Sequence, residues 1–196
     1  ESFDEHTTYK VLASILRSHE YAVIPGFYGS MPNGKIKTFS RGGSDITGSI
    51  VASAIKANIY ENWTDVSGML MADPRIVDNP KVIDIISYSE LRELSYMGAT
   101  VIHEDAIFPV RKSAIPINIR NTNQPSDNGT KIVPSALRQE DDKMITGVAG
   151  KIGFSSITVE KGMMNPELGF ARKVLEVFEK HKIPFEHLPT GIDTMS

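Results

Sequence analysis

The chain has 196 residues, 40% hydrophobic and 23% charged, the proportions of a soluble globular protein rather than a disordered or fibrous one. With 21 Lys and Arg against 24 Asp and Glu, the net charge is −3, so nothing electrostatic favours nucleic acid or anionic lipid as partner. There is no cysteine, which excludes disulfide scaffolds, thiolate metal sites and Cys nucleophiles together.

Taken in chain order, Tyr9, Leu12, Ile15 and Leu16 recur at helical spacing and predict an amphipathic helix over about residues 7–18. Ala22, Val23 and Ile24 read as a short buried strand stopped by Pro25-Gly26. A turn-rich loop over 29–34 leads to a short strand over 35–39. Ser40-Arg41-Gly42-Gly43 breaks that pattern, and Ser44 or Asp45 can cap a helix with Ile46, Ile50, Val51, Ala54 and Ile55 on one side. Residues 58–63 are strand-like and run into a long loop through Asp73-Pro74-Arg75; a short extended segment follows over 82–86. Ser87 and Glu90 match a capping box for a helix over 90–97, with Gly98 at its end. A helix is expected over 102–112, kinked or started late by Pro109. Strands follow over 115–119 and 130–133. The alternation predicts an α/β layer with a largely parallel sheet.

Residues 134–143 are polar and charged and read as a linker. Beyond them the pattern predicts strands over 144–149 and 156–160, a helix over 168–182 and a strand over 185–188. This β-β-α-β order leaves an open edge awaiting a partner. No apolar run approaches the ~18 residues of a membrane span, and the opening residues show no signal-peptide pattern. The first residue is Glu1 rather than Met, and a helical pattern begins at once, so the opening reads as cut.

Two loops can carry chemistry. In Ser40-Arg41-Gly42-Gly43-Ser44-Asp45, glycines and a helix N-terminus let backbone N–H groups approach an anion, and Arg41 offers a planar fork for carboxylate or phosphate. Asp45 can cap the helix, orient a cation or hold a catalytic lysine; an ordinary tight turn before a capped helix fits the same residues. Trp63-Thr64-Asp65-Val66-Ser67-Gly68 ends a strand where α/β sheets bind ligands, with Arg75 in reach of a phosphate. The alternative makes Asp65 and Asp73 turn formers. Neighbouring His103, Glu104 and Asp105 would point to different faces of a helix and do not suit a metal; His6, His19, His181 and His187 show no metal spacing. No Gly-x-Ser-x-Gly or P-loop motif is present, and Met163-Met164 most simply fill a core.

Phe39-Ser40-Arg41-Gly42-Gly43-Ser44-Asp45-Ile46-Thr47, Trp63-Thr64-Asp65-Val66-Ser67-Gly68, Asp73-Pro74-Arg75-Ile76-Val77 and Met97-Gly98-Ala99-Thr100-Val101-Ile102-His103 stand in that order, and together they resemble the aspartokinase family from Tyr9 to Ser196. The resemblance implies an amino-acid-kinase α/β/α three-layer sandwich over 1–133, the linker 134–143, and a partial ferredoxin-like ACT domain over 144–196. It implies transfer of the ATP γ-phosphoryl group to the β-carboxylate of L-aspartate, giving 4-phospho-L-aspartate, at the start of lysine, threonine and methionine biosynthesis. Mg²⁺ would be held mainly by ATP. By the same resemblance Arg41, Gly42 and Ser44 contact aspartate, and Asp45 matches the acidic residue that holds the catalytic lysine. Thr64 and Asp65 match the adenosine-binding pair. Leu70, Met71, Ala72, Asp73, Pro74 and Arg75 match the nucleotide-binding loop, and Thr100 stands where many members have an ATP-contacting lysine. Met163, Met164 and Gly169 fall where effectors such as lysine or threonine bind, at an interface that implies a homodimer or higher assembly; the location implied is cytoplasmic. The family's Lys-Phe-Gly-Gly motif has no counterpart here, so little activity is expected of this chain alone. The competing readings are an amino-acid-sensing ACT module without catalysis, or a sister amino-acid kinase.

Overall fold

The computed structural model describes residues 3–39, 42–98, 101–137 and 145–196, which fall into two compact units, 1–151 and 152–196. The first begins with helix α1 (Glu5–Leu16), capped by Asp4, whose carboxylate accepts the Thr7 N–H at 3.0 Å. Residues 22–24 are not a strand. Val23 is fully exposed, and among the described residues no strand lies beside it to take the backbone bonds that a strand needs. A hairpin follows instead: β1 (Tyr28–Ser30) pairs antiparallel with β2 (Ile36–Thr38) across a turn in which Gly34 holds φ 77°.

Helix α2 (Gly43–Ile55) returns the chain to β3 (Tyr60–Thr64). Further on come β4 (Ile85–Ser87), α3 (Tyr88–Tyr96), a 3₁₀ turn (Glu104–Ile107) running into α4 (Phe108–Lys112), β5 (Ile117–Asn121) and β6 (Thr130–Val133). Pro109 sits in the first turn of α4, where its missing N–H would have no helical partner, which explains the late start. The capping box forms as expected: Ser87 Oγ accepts the Glu90 N–H at 3.2 Å, and Glu90 Oε2 accepts the Ser87 N–H at 2.8 Å.

The sheet order is β3-β5-β6-β4, and it is mixed rather than largely parallel. β3 and β5 pair in parallel, as do β4 and β6, but β5 and β6 are antiparallel, since residues 122–129 reverse the chain without a crossover helix. Ile117 and Ile119 of β5, Ile132 of β6 and Ile86 of β4 are wholly buried, and Met69, Ile83, Leu91, Ile107 and Val110 complete the core around them.

Residues 145–151 belong to the first unit, so the compact units part after Lys151 rather than at the linker expected over 134–143, of which 138–143 lie outside the described residues. No strand forms over 145–149. That segment lies against the first unit, with the Val148 N–H on Met71 O at 2.7 Å and Thr146 Oγ1 on Glu90 Oε1 at 2.7 Å. The second unit has β7 (Val159–Glu160) paired antiparallel with β8 (Thr194–Met195), and helix α5 (Phe170–Lys180) between them. Residues 185–188 form no strand. Only Met164 and Met195 are buried apolar side chains among this unit's residues, while Leu168 and Ile152 are almost fully exposed. Of the two strands expected within this unit, 156–160 survives only as β7 and 185–188 not at all, since few packed neighbours support them.

Candidate functional site

The site grows from the junction of α2 with β3. Helix α2 runs back along β3, so its N-terminus lies at the carboxyl end of the strand. Gly42 is the N-cap, in left-handed conformation at φ 62°, and its carbonyl accepts the Ile46 N–H at 2.9 Å. Neither Ser44 nor Asp45 caps the helix: the N-cap is Gly42, and among the described residues no side chain accepts an N–H of the first turn, so those donors and the positive end of the helix dipole face the Gly42 turn. A Cβ at Gly42 would lie 3.6 Å from Asp45 Oδ2, His103 Cβ and Ala106 Cβ alike, so His103 borders this turn.

Packing on the other side of α2 is equally close. A Cβ at Gly43 would approach the Phe27 ring to 2.7 Å. Thr47 Oγ1 accepts the Phe27 N–H at 3.1 Å and donates to Gly43 O at 2.8 Å, fastening the loop before the hairpin to the helix. On β3, burial alternates, and Tyr60, Asn62 and Thr64 share the half-buried face. Asn62 Nδ2 donates to Asp45 Oδ1 at 2.9 Å, and the Tyr60 hydroxyl donates to Asp45 O at 3.3 Å. Neither residue was singled out from sequence. The alternation of Tyr60-Glu61-Asn62-Trp63-Thr64 was the available signal, because it puts a polar amide on the inward face.

Thr64 ends β3 two residues beyond Asn62 on the same face, about 7 Å along the strand. Its carbonyl accepts both the Thr122 N–H (2.8 Å) and Thr122 Oγ1 (2.9 Å), and its hydroxyl donates to Asp65 Oδ1 at 3.2 Å. Ser67 donates to Asp127 Oδ2 at 2.6 Å and accepts from Asn121 Nδ2 at 2.9 Å, which ties the loop after Asp65 to the exit of β5. On the opposite face Arg120 lies over the Trp63 ring, 4.9 Å from its centroid.

The segment Leu70 to Arg75 leaves the core as one side of a hairpin-like excursion. The Met71 N–H bonds Lys81 O at 2.8 Å and the Ile83 N–H bonds Met69 O at 2.7 Å. At the tip, Asp73 Oδ1 accepts the Arg75 N–H at 2.8 Å, and Asp73 Oδ2 accepts Arg75 Nη2 at 2.6 Å. The hydrogen bonds from Arg75 lower the Asp73 carboxyl to a pKa of about 2. The guanidinium is turned back on Asp73 through Nε and Nη2. Pro74 and Ala72 complete the turn beside it. Arg41 and Thr100 lie outside the described residues. The sequence-derived candidates that the structure brings together are therefore Gly42, Ser44, Asp45, Thr64 and Asp65, with the 70–75 segment following from the same strand end.

In the second unit, Met163 is exposed at φ 56°, Met164 is buried, and Gly169 is the left-handed N-cap of α5. Glu167 gathers charge: its carboxylate meets Lys161 Nζ at 2.5 Å and Lys173 Nζ at 2.8 Å, and those bonds hold its pKa at about 2. With the folded pKa below its usual value, these ion pairs are complete above about pH 4.5 and are lost as pH falls through about 2. A carbon-detected NMR titration should find the Glu167 midpoint near 2, and Lys161→Ala should move it upward. A midpoint in the usual carboxylate range would refute the pairing.

Comparison with known proteins completes the description. The model of the amino acid kinase family matches residues 2–121. Aspartokinase 3 of Bacillus subtilis is 45% identical over 174 residues, covering 89% of this chain and 38% of that protein. The crystal structure of Clostridium acetobutylicum aspartate kinase is 57% identical with a TM-score of 0.91, over 100% of this chain and 45% of that one. Escherichia coli aspartokinase III, solved in complex with lysine and aspartate, is 28% identical with a TM-score of 0.68, over 99% of this chain and 44% of that one. The chain thus spans less than half the length of each of these relatives.

Proposed function

The chain belongs to the amino acid kinase family, and from that membership we propose that it carries the acceptor and nucleotide corners of an aspartate kinase. The reaction is in-line transfer of the ATP γ-phosphoryl group to the β-carboxylate of L-aspartate. Two anions must meet, so catalysis lies in positioning and charge stabilisation rather than in a protein nucleophile. The observation that supports the reading is the shared face of β3, where Asn62, bonded to Asp45 at the start of α2, stands two strand residues from Thr64, with Asp65 next in the chain.

In this reading Arg41, Gly42 and Ser44 take the aspartate, with the free N–H groups of α2 supporting its carboxylate. Asp45 holds the cationic lysine that faces the transferring phosphoryl group. Thr64, Asp65, the 70–75 segment and Thr100 hold the nucleotide. Mg²⁺ would arrive on the nucleotide's own oxygens, where it offsets phosphate charge. Lysine or threonine as effector at Met163, Met164 and Gly169, and pairing of two copies through the second unit, belong to the same proposal; of these, the lysine complex of the Escherichia coli relative supports a lysine effector. Among the described residues no helix is long and apolar enough to cross a membrane, and a cytoplasmic location suits the substrates.

Calorimetry of the chain with ADP tests the nucleotide corner. Asp65→Ala should weaken ADP binding about 10-fold, the loss of one charge-assisted hydrogen bond, while the melting temperature stays put because Asp65 is exposed. Equal affinity in the variant and the parent would remove the nucleotide corner from the proposal.

A further inference from the structure

We propose that Asn62 is a positioning residue for phosphoryl transfer: its amide, backed by the Tyr60 hydroxyl, fixes the Asp45 carboxylate with Oδ2 over the Gly42 turn. The inference rests on the reading of Asp45 as the residue that holds the catalytic cation.

The hydrogen-bond directions are forced by chemistry. A carboxylate only accepts, so the atom of Asn62 that meets Asp45 Oδ1 at 2.9 Å must be Nδ2. The second hydrogen of that nitrogen goes to the Tyr60 oxygen at 3.1 Å, and the Tyr60 hydroxyl passes its own hydrogen to Asp45 O at 3.3 Å. The three residues close a ring that grips Asp45 by both side chain and backbone. Burial raises the Tyr60 pKa, which keeps this donor protonated. The ring is also held in place sterically. A Cβ at Gly48 would come within 2.7 Å of the Tyr60 hydroxyl, so the tyrosine crosses the helix only because position 48 is glycine.

The consequence falls on the other carboxylate oxygen. Asp45 Oδ2 lies 3.6 Å from where a Gly42 Cβ would be, at the mouth of the turn and away from Asn62. With Oδ1 held, rotation of the carboxylate is stopped, and Oδ2 is presented as a fixed acceptor. Misplacing such a group by about 1 Å can lower rate on the order of 100-fold.

The test is a double-mutant cycle in a full-length aspartate kinase carrying this segment, with kcat and both KM values measured. Asn62→Leu keeps the number and branching of side-chain heavy atoms and removes the donor. It should lower kcat about 10- to 100-fold while KM for ATP and aspartate stay within about threefold. In an Asp45→Asn background the same change should lower kcat less than about threefold, since a residue that acts through Asp45 has nothing left to orient. Tyr60→Phe, which keeps the ring, should show the same pattern with a smaller fall, and answers the case in which Asn62→Leu folds poorly. An equal fall of kcat in both backgrounds would overturn the proposal and leave Asn62 a packing residue. Unchanged kcat in Asp45→Asn alone would overturn the reading of Asp45, a failure told apart because it needs no change at Asn62.

Discussion

Thr130→Val should lower the unfolding free energy by about 2–4 kcal/mol with little change in the denaturant slope. Thr130 is wholly buried, and its hydroxyl serves two backbone groups: it accepts the Met69 N–H at 2.8 Å and donates to Ile83 O at 2.6 Å. Valine has nearly the same shape, so packing is preserved and the loss is polar. Each buried backbone group left without its partner costs about 1–3 kcal/mol, against a total stability of roughly 5–15 kcal/mol. Met69 begins the excursion that carries the 70–75 segment, so the variant should also bind ADP more weakly. Urea denaturation decides the matter; a loss below about 0.5 kcal/mol would mean that other groups take over both bonds.

The second large effect is expected at Gly129. This residue holds φ 70°, and a Cβ there would stand 1.8 Å from the carbonyl oxygen of Ile119. Two penalties combine in Gly129→Ala. Left-handed backbone costs an L-residue about 1–2 kcal/mol, and the overlap must push β5 from β6 where Ile119 faces Thr130, a further ~1–3 kcal/mol. The expected loss is about 2–5 kcal/mol. Gly98→Ala separates the two penalties, because Gly98 has φ 100° and open space around it. It should lose only about 1 kcal/mol. Gly150→Ala, with open space and no left-handed φ, should be nearly neutral. If denaturation finds the three alike, the clash with Ile119 is not what restricts position 129.

Much of the first unit was legible in the sequence, and the reasons differ by element. The Ser87–Glu90 capping box was readable because both of its bonds close within one turn. Helix α1 announced itself by spacing, and Pro109 by its fixed ring. The glycine pair at 42–43 correctly marked a helix start, but the cap was misjudged: Gly42 takes the left-handed conformation and leaves Ser44 and Asp45 without a capping bond. For the candidate site, Asp45, Thr64 and Asp65 came from motif order. Asn62 and Tyr60 did not, since their roles exist only where α2 lies against β3, 17 residues from Asp45 to Asn62. The bond from Arg75 to Asp73 spans two residues and is open to local reasoning, in line with Asp73 as a turn former.

By itself, then, the sequence determined where helices could start and stop, which turns needed glycine, and the order of motifs that marks the family. Those outcomes follow from forces acting within a few residues: fixed φ, local capping bonds and side-chain spacing. The tertiary structure alone decided that β5 and β6 run antiparallel, that residues 22–24 find no strand to join, and that 145–151 pack with the first unit. It alone set the Asp45 carboxylate against Asn62. Each of these depends on segments distant in the chain meeting in space, and a strand or a carboxylate acquires its role only from the neighbour it meets.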